Sequence, residues 1–99
     1  MFITISTYQA RDGEEDAIIA LHEEWQRSQL LKVKGKTSGE LLRSIENPRS
    51  FVAIMHYEGQ ESAQALANNP EHQVWLQRLL SLTEIIPALT EYLCEWEVH

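Results

Sequence analysis

Apolar and polar positions alternate along Phe2–Gln9 with a period of two, so this stretch reads as a strand. Phe2, Thr4, Ser6 and Tyr8 fall on one face and Ile3, Ile5 and Thr7 on the other. Neither face is charged, which suits a strand covered on both sides. The period then changes. Ile18, Leu21, Trp25 and Ser28 form a stripe at helical spacing, with Ala17 and His22 beside it. A helix is expected over residues 13–31, capped by Asp12 with Glu15 closing a capping box and stopped near Gly35.

Thr37–Tyr57 reads as two strands around Glu46-Asn47-Pro48-Arg49. Pro48 fixes its own φ and biases Asn47 away from the helical region, so a turn is favoured there. The second run, Phe51-Val52-Ala53-Ile54-Met55, has the β-branched and aromatic content of a half-buried strand. A short helix over residues 60–67 and a second over 70–83 follow. Asn69 is expected to cap the second, with Pro70 in its first turn, and Trp75, Leu79 and Leu82 form its buried stripe. A last strand is expected over residues 90–98, with Tyr92, Cys94, Trp96 and Val98 facing inward. The order is β-α-β-β-α-β, the second helix being in two pieces. It predicts an α+β, ferredoxin-like fold with a four-stranded antiparallel sheet in one domain spanning residues 1–99. Helices would cover one sheet face. The other holds enough apolar side chains to need a cover, and a second copy related by a two-fold axis is the simplest one.

Composition narrows the partners. The formal charge of −7 argues against nucleic-acid or acidic-membrane binding, which need a basic surface. One cysteine, Cys94, excludes an intrachain disulfide and suits a reducing compartment. No apolar run reaches the length of a membrane span, and Phe2–Ser6 is too short for a signal core, so a cytoplasmic protein is expected. The four histidines, at 22, 56, 72 and 99, show no paired metal-ligand spacing. No phosphate-cradling loop, nucleophile elbow or dinucleotide fingerprint is present.

The element order, the run Gly39-Glu40-Leu41-Leu42-Arg43-Ser44-Ile45-Glu46 leading into Pro48 and Phe51-Val52, and the run Asn69-Pro70-Glu71-His72-Gln73 together resemble the antibiotic biosynthesis monooxygenase domain. This is one of the dimeric α+β barrel families. The resemblance covers nearly the whole chain and implies a homodimer, with a ligand pocket between helices and sheet in each subunit. It also implies a small aromatic ligand, since some relatives oxygenate polycyclic phenols or quinols without a cofactor. Two departures stand out. His56-Tyr57 replaces the strand-end tryptophan common in the family. Thr4, Ser6 and Thr7 stand where haem-degrading relatives carry an asparagine, and Trp75 lies where they carry an axial histidine, which weighs against haem.

A cofactor-free oxygenase needs a dry apolar pocket, a base for a phenol-like substrate and donors for the resulting anion. His72, in the first turn of its helix, is the candidate base, because a helix N-terminus keeps the ring neutral. Tyr57 is the candidate donor at the strand end, and Trp25, Met55 and Trp75 are candidate substrate contacts. His22 reads as half-exposed on the first helix. Arg43 is expected to pair with Glu95 or Glu97, and Cys94 to be an inert core thiol. The alternative to an enzyme is a non-catalytic ligand-binding or stress-associated dimer using the same pocket.

Overall fold

The computed structural model describes residues 1–99. Its elements are β1 (Phe2–Gln9), α1 (Glu15–Ser28), a 3-10 turn at Leu30–Lys32, β2 (Ser38–Arg43), β3 (Ser50–Tyr57), α2 (Gln60–Ala67), α3 (Pro70–Ser81) and β4 (Ala88–Leu93). The sheet is antiparallel throughout, in the order β2-β3-β1-β4. This is the expected ferredoxin-like arrangement, and the β2–β3 hairpin lies where the sequence places it. No helix is long and apolar enough to cross a membrane.

Register sorts the side chains. Ile5 lies opposite Ile54, and Tyr8 opposite Phe51. Phe2, Thr4, Tyr8, Phe51, Ala53 and Tyr57 therefore share the helix-covered face and are buried. Ile18, Leu21 and Trp25 of α1, Leu66 of α2, and Trp75 and Leu79 of α3 complete the core above them. Ile3, Ile5, Val52 and Ile54 line the opposite face and are only half-buried. Leu42 and Tyr92 extend that apolar surface to the sheet edges, and His56 meets Glu40 on it at 3.1 Å.

Several boundaries differ from expectation; α1, expected to reach residue 31, ends at Ser28 and the chain goes on as the 3-10 turn at Leu30–Lys32. The α1 helix begins at Glu15 without a side-chain cap, because Asp12 is spent in a turn. Gly13 there has φ +84°, and the Glu14 amide donates to the Arg11 carbonyl at 3.0 Å, as in a type II turn. The α3 helix is capped as expected: the Asn69 side chain accepts from the Glu71 amide at 2.8 Å, and Pro70 fills the first turn. It stops at Ser81, because the buried Thr83 leaves the helix to bridge Ala10 and the Glu84 amide donates to Gln9.

The last strand runs over Ala88–Leu93, not over 90–98. Leu93 pairs with Phe2 and the Cys94 amide reaches Met1, so β1 offers no backbone beyond that point. The expected inward face of Tyr92, Cys94, Trp96 and Val98 therefore lies in no core. Trp96 is 80% exposed and Cys94, expected to be a core thiol, is half-buried.

Candidate functional site

A cavity of about 510 Å³ opens between α1 and the β2–β3 hairpin. Ile19, His22, Trp25 and Gln26 line it from α1, four residues that share one helix face. Phe51, Ala53 and Met55 line it from β3, alternate residues of one strand, with Leu41 and Arg43 from β2. The walls thus combine apolar side chains with polar ones, among them His22, Gln26 and Arg43, as ligand sites tend to do.

His22 is the best-defined polar group in the wall. Its Nδ1 lies 2.8 Å from the Ile18 carbonyl, one turn back. A carbonyl only accepts, so Nδ1 carries the proton and Nε2 presents a lone pair. The Tyr8 hydroxyl lies 3.4 Å from Nε2, a long contact in which the hydroxyl donates. The edge of Trp75 packs on the ring at 5.0 Å. Burial pushes the His22 pKa down, and the Ile18 bond offsets part of that. Burial pushes Tyr8 up to about 12, partly offset by the Ser6 side chain, with Tyr57 nearby adding to the rise. At neutral pH the pair is therefore a phenol facing a neutral imidazole.

His72 stands one layer behind. The Trp25 indole N–H donates to its Nδ1 at 3.1 Å, so the lone pair of the neutral ring is already engaged. Its plane lies 13° from that of Trp75, with centroids 5.6 Å apart. Burial lowers its pKa as well. Trp75 also donates to the Leu21 carbonyl at 2.8 Å. One indole therefore supports both histidines, from one flank each.

These shifts fix how stability responds to pH. The folded chain resists protonating His22 and His72, whereas the unfolded chain binds those protons near pH 6.5. Stability is therefore full above about pH 6.5 and declines as pH falls below it. Tyr8 acts in the opposite direction. The unfolded phenol ionises near pH 10 and the folded one near 12, so its contribution is present below pH 10 and lost between these values. Two units correspond to about 3 kcal/mol. Urea melts across pH should show both declines. Tyr8→Phe should shrink the alkaline one, leaving the smaller part due to Tyr57, which burial also raises. An alkaline decline of undiminished size in that variant would contradict the assignment.

With this geometry in place, the chain can be set beside known proteins. The family described as Antibiotic biosynthesis monooxygenase matches residues 1–78. The chain belongs to that family. A Nitrosomonas europaea protein named for the same family superposes with a TM-score of 0.82 at 17% identity, covering 97% of this chain and 100% of its own. A conserved Methanosarcina mazei protein gives 0.83 at 12% identity, covering 92% of this chain and 89% of its own. A NIPSNAP family protein of Agrobacterium tumefaciens gives 0.68 at 18% identity, covering 93% and 90%. At such identities the structural likeness speaks to the fold. No curated protein matches the chain.

In this family member the residues singled out from the sequence divide into three groups. Trp25 and Met55 line the cavity. His72 and Trp75 support it from behind, outside the lining. Tyr57 is 5% exposed at the far end of β3, opposite Phe2 and also outside the lining. His22 is half-exposed on α1, as the sequence implies, and is also a wall group. Its only sequence signal was its place at the edge of the Ile18–Leu21–Trp25 stripe. Arg43 does not pair with Glu95 or Glu97. The sheet order puts β2 and β4, the strand that leads to those acids, on opposite edges. Arg43 instead donates from Nε to the Pro48 carbonyl at 2.6 Å and lies 5.4 Å over the Phe51 ring.

Proposed function

We propose that this protein is a cofactor-independent monooxygenase acting on a phenol- or quinol-type aromatic held between α1 and the β2–β3 hairpin. The observation that carries the reading is the neutral His22 in the cavity wall, its proton held on Nδ1 by the Ile18 carbonyl and its Nε2 lone pair met only by the long Tyr8 contact at 3.4 Å, which a substrate phenol would displace. Nε2 takes the phenolic proton, and the electron-rich anion reduces dioxygen. One oxygen atom ends as a ring carbonyl and the other as water, so the substrate supplies all four electrons. Trp25, Met55 and Phe51 provide ring contacts and exclude water. His72 and Trp75 keep Trp25 and His22 in place. Tyr8 serves as the hydroxyl partner of Nε2. The single cysteine suits work in the cytoplasm.

The test is oxygen uptake against a panel of phenols, hydroquinones and anthrone-like aromatics, with chelator present and no added flavin. Uptake that depends on His22 supports the reading. Ligand binding with no uptake across the panel would overturn it in favour of a binding protein. The long Tyr8 contact favours that second reading, because it already occupies the lone pair.

The same reading includes a homodimer through the open sheet face. Ile3, Ile5, Val52 and Ile54 form an apolar surface that a second copy would cover. Light scattering at micromolar concentration should return about twice the 11.5 kDa chain mass. Ile54→Asp should reduce that toward one chain. A wild-type protein that stays soluble at single-chain mass would refute the dimer.

A further inference from the structure

We propose that the aromatic ligand of the cavity carries a carboxylate, and that Arg43 receives it. The inference rests on the aromatic occupant proposed above and specifies its class as an aryl carboxylic acid. Arg43 closes β2 on the helix-covered face, opposite Phe51, and is the one Lys or Arg in the cavity lining. Nε–H is spent on the Pro48 carbonyl at 2.6 Å, and the guanidinium lies 5.4 Å over the Phe51 ring. These two contacts fix the plane of the fork. The two terminal nitrogens have no hydrogen-bond partner and no carboxylate within ion-pair distance.

Five of the eight Lys and Arg make no ion pair, and Arg43 is the one of these five that lines the cavity. Acids outnumber Lys and Arg by 15 to 8, and Lys32, Arg49 and Arg78 each hold a carboxylate. Arg43 has none; it is exposed where it lines the cavity beside Leu41 and Phe51. A fixed guanidinium with two free N–H-bearing nitrogens matches a carboxylate in a bidentate arrangement. The lining contains two acids. Glu40 is committed to His56, whose side chain lies on the opposite face of the sheet. Glu23 belongs to α1, on the other wall, and makes no ion pair with Arg43. Arg43 can therefore take an external acid without giving one up.

Binding, read by calorimetry, tests this separately from turnover. The probes are 6-hydroxy-2-naphthoate, its methyl ester and 2-naphthol. In wild type the acid should bind about tenfold or more tighter than its ester, as a charge-assisted pair provides. In Arg43→Gln that advantage should fall to about twofold or less, and Arg43→Lys should restore part of it, because a lysine keeps the charge but lacks the fork. Thermal melts verify that each variant is folded. Equal affinity of acid and ester in wild type, or a preference that survives in Arg43→Gln, overturns the proposal. No binding of any probe overturns both this proposal and the aromatic reading. A ratio that behaves as stated, with no oxygen uptake, overturns the monooxygenase reading alone.

Discussion

His22→Gln is expected to lower the rate of oxygen uptake by about 100- to 10,000-fold, the range that a positioned general base supplies. Glutamine can still donate to the Ile18 carbonyl and fills similar space, so the wall keeps its shape. It lacks a nitrogen that binds a proton at neutral pH. The loss should therefore fall on turnover, with substrate affinity changing much less. The pH profile adds an independent check. Burial holds the His22 pKa below its ordinary value, so wild-type activity should be flat above about pH 6.5 and fall on the acid side. His72→Gln makes the informative contrast. A glutamine oxygen can still accept from the Trp25 indole, so that variant should keep turnover within a few-fold. If it lost activity while His22→Gln kept it, the base would be His72, the residue that sequence reasoning favours.

The sequence favours His72 over His22 as the base for purely local reasons. His72 carries a strong local signal: a first-turn position behind Asn69 and Pro70, and the cap forms as that signal implies. What the local sequence cannot show is that the Trp25 indole, 47 residues away, occupies its lone pair. His22 has the reverse problem. At the edge of an apolar stripe it resembles any boundary residue, and it becomes a wall group only because Tyr8 and the β3 face lie beneath it. The same division runs through the fold. The hairpin, the α3 cap and the two-piece second helix rest on neighbours in sequence, and they were legible. The end of β4 depends on where β1 begins, which alternation along residues 90–98 does not record. The partner of Arg43 depends on sheet order. Placing β2 and β4 at opposite edges parts Arg43 from the strand that leads to Glu95 and Glu97, and Arg43 forms no ion pair with either.

Trp75→Ala should produce the largest loss of stability, about 3–5 kcal/mol, as expected for deleting a buried indole. Domains of this kind have only about 5–15 kcal/mol in total, so the variant should unfold in much less urea. Trp75 is 6% exposed, donates to the Leu21 carbonyl at 2.8 Å, stacks on His72 and meets His22 edge-on. Its loss removes a shared support, and its effect on the two imidazoles separates this role from simple space-filling. Water entering the vacated volume would solvate both rings, so both pKa values should climb toward 6.5, read by NMR titration. The acid-side decline in stability should flatten in the same variant, because it arises from those two shifts. Trp75→Phe keeps most of the ring and loses the N–H···O bond, so it should cost less than the alanine variant and leave both histidines depressed. A loss below about 1 kcal/mol in Trp75→Ala, against the usual cost of a buried aromatic, would mean that the indole is not the support described here. A rise in only one histidine pKa would mean that it supports that ring alone.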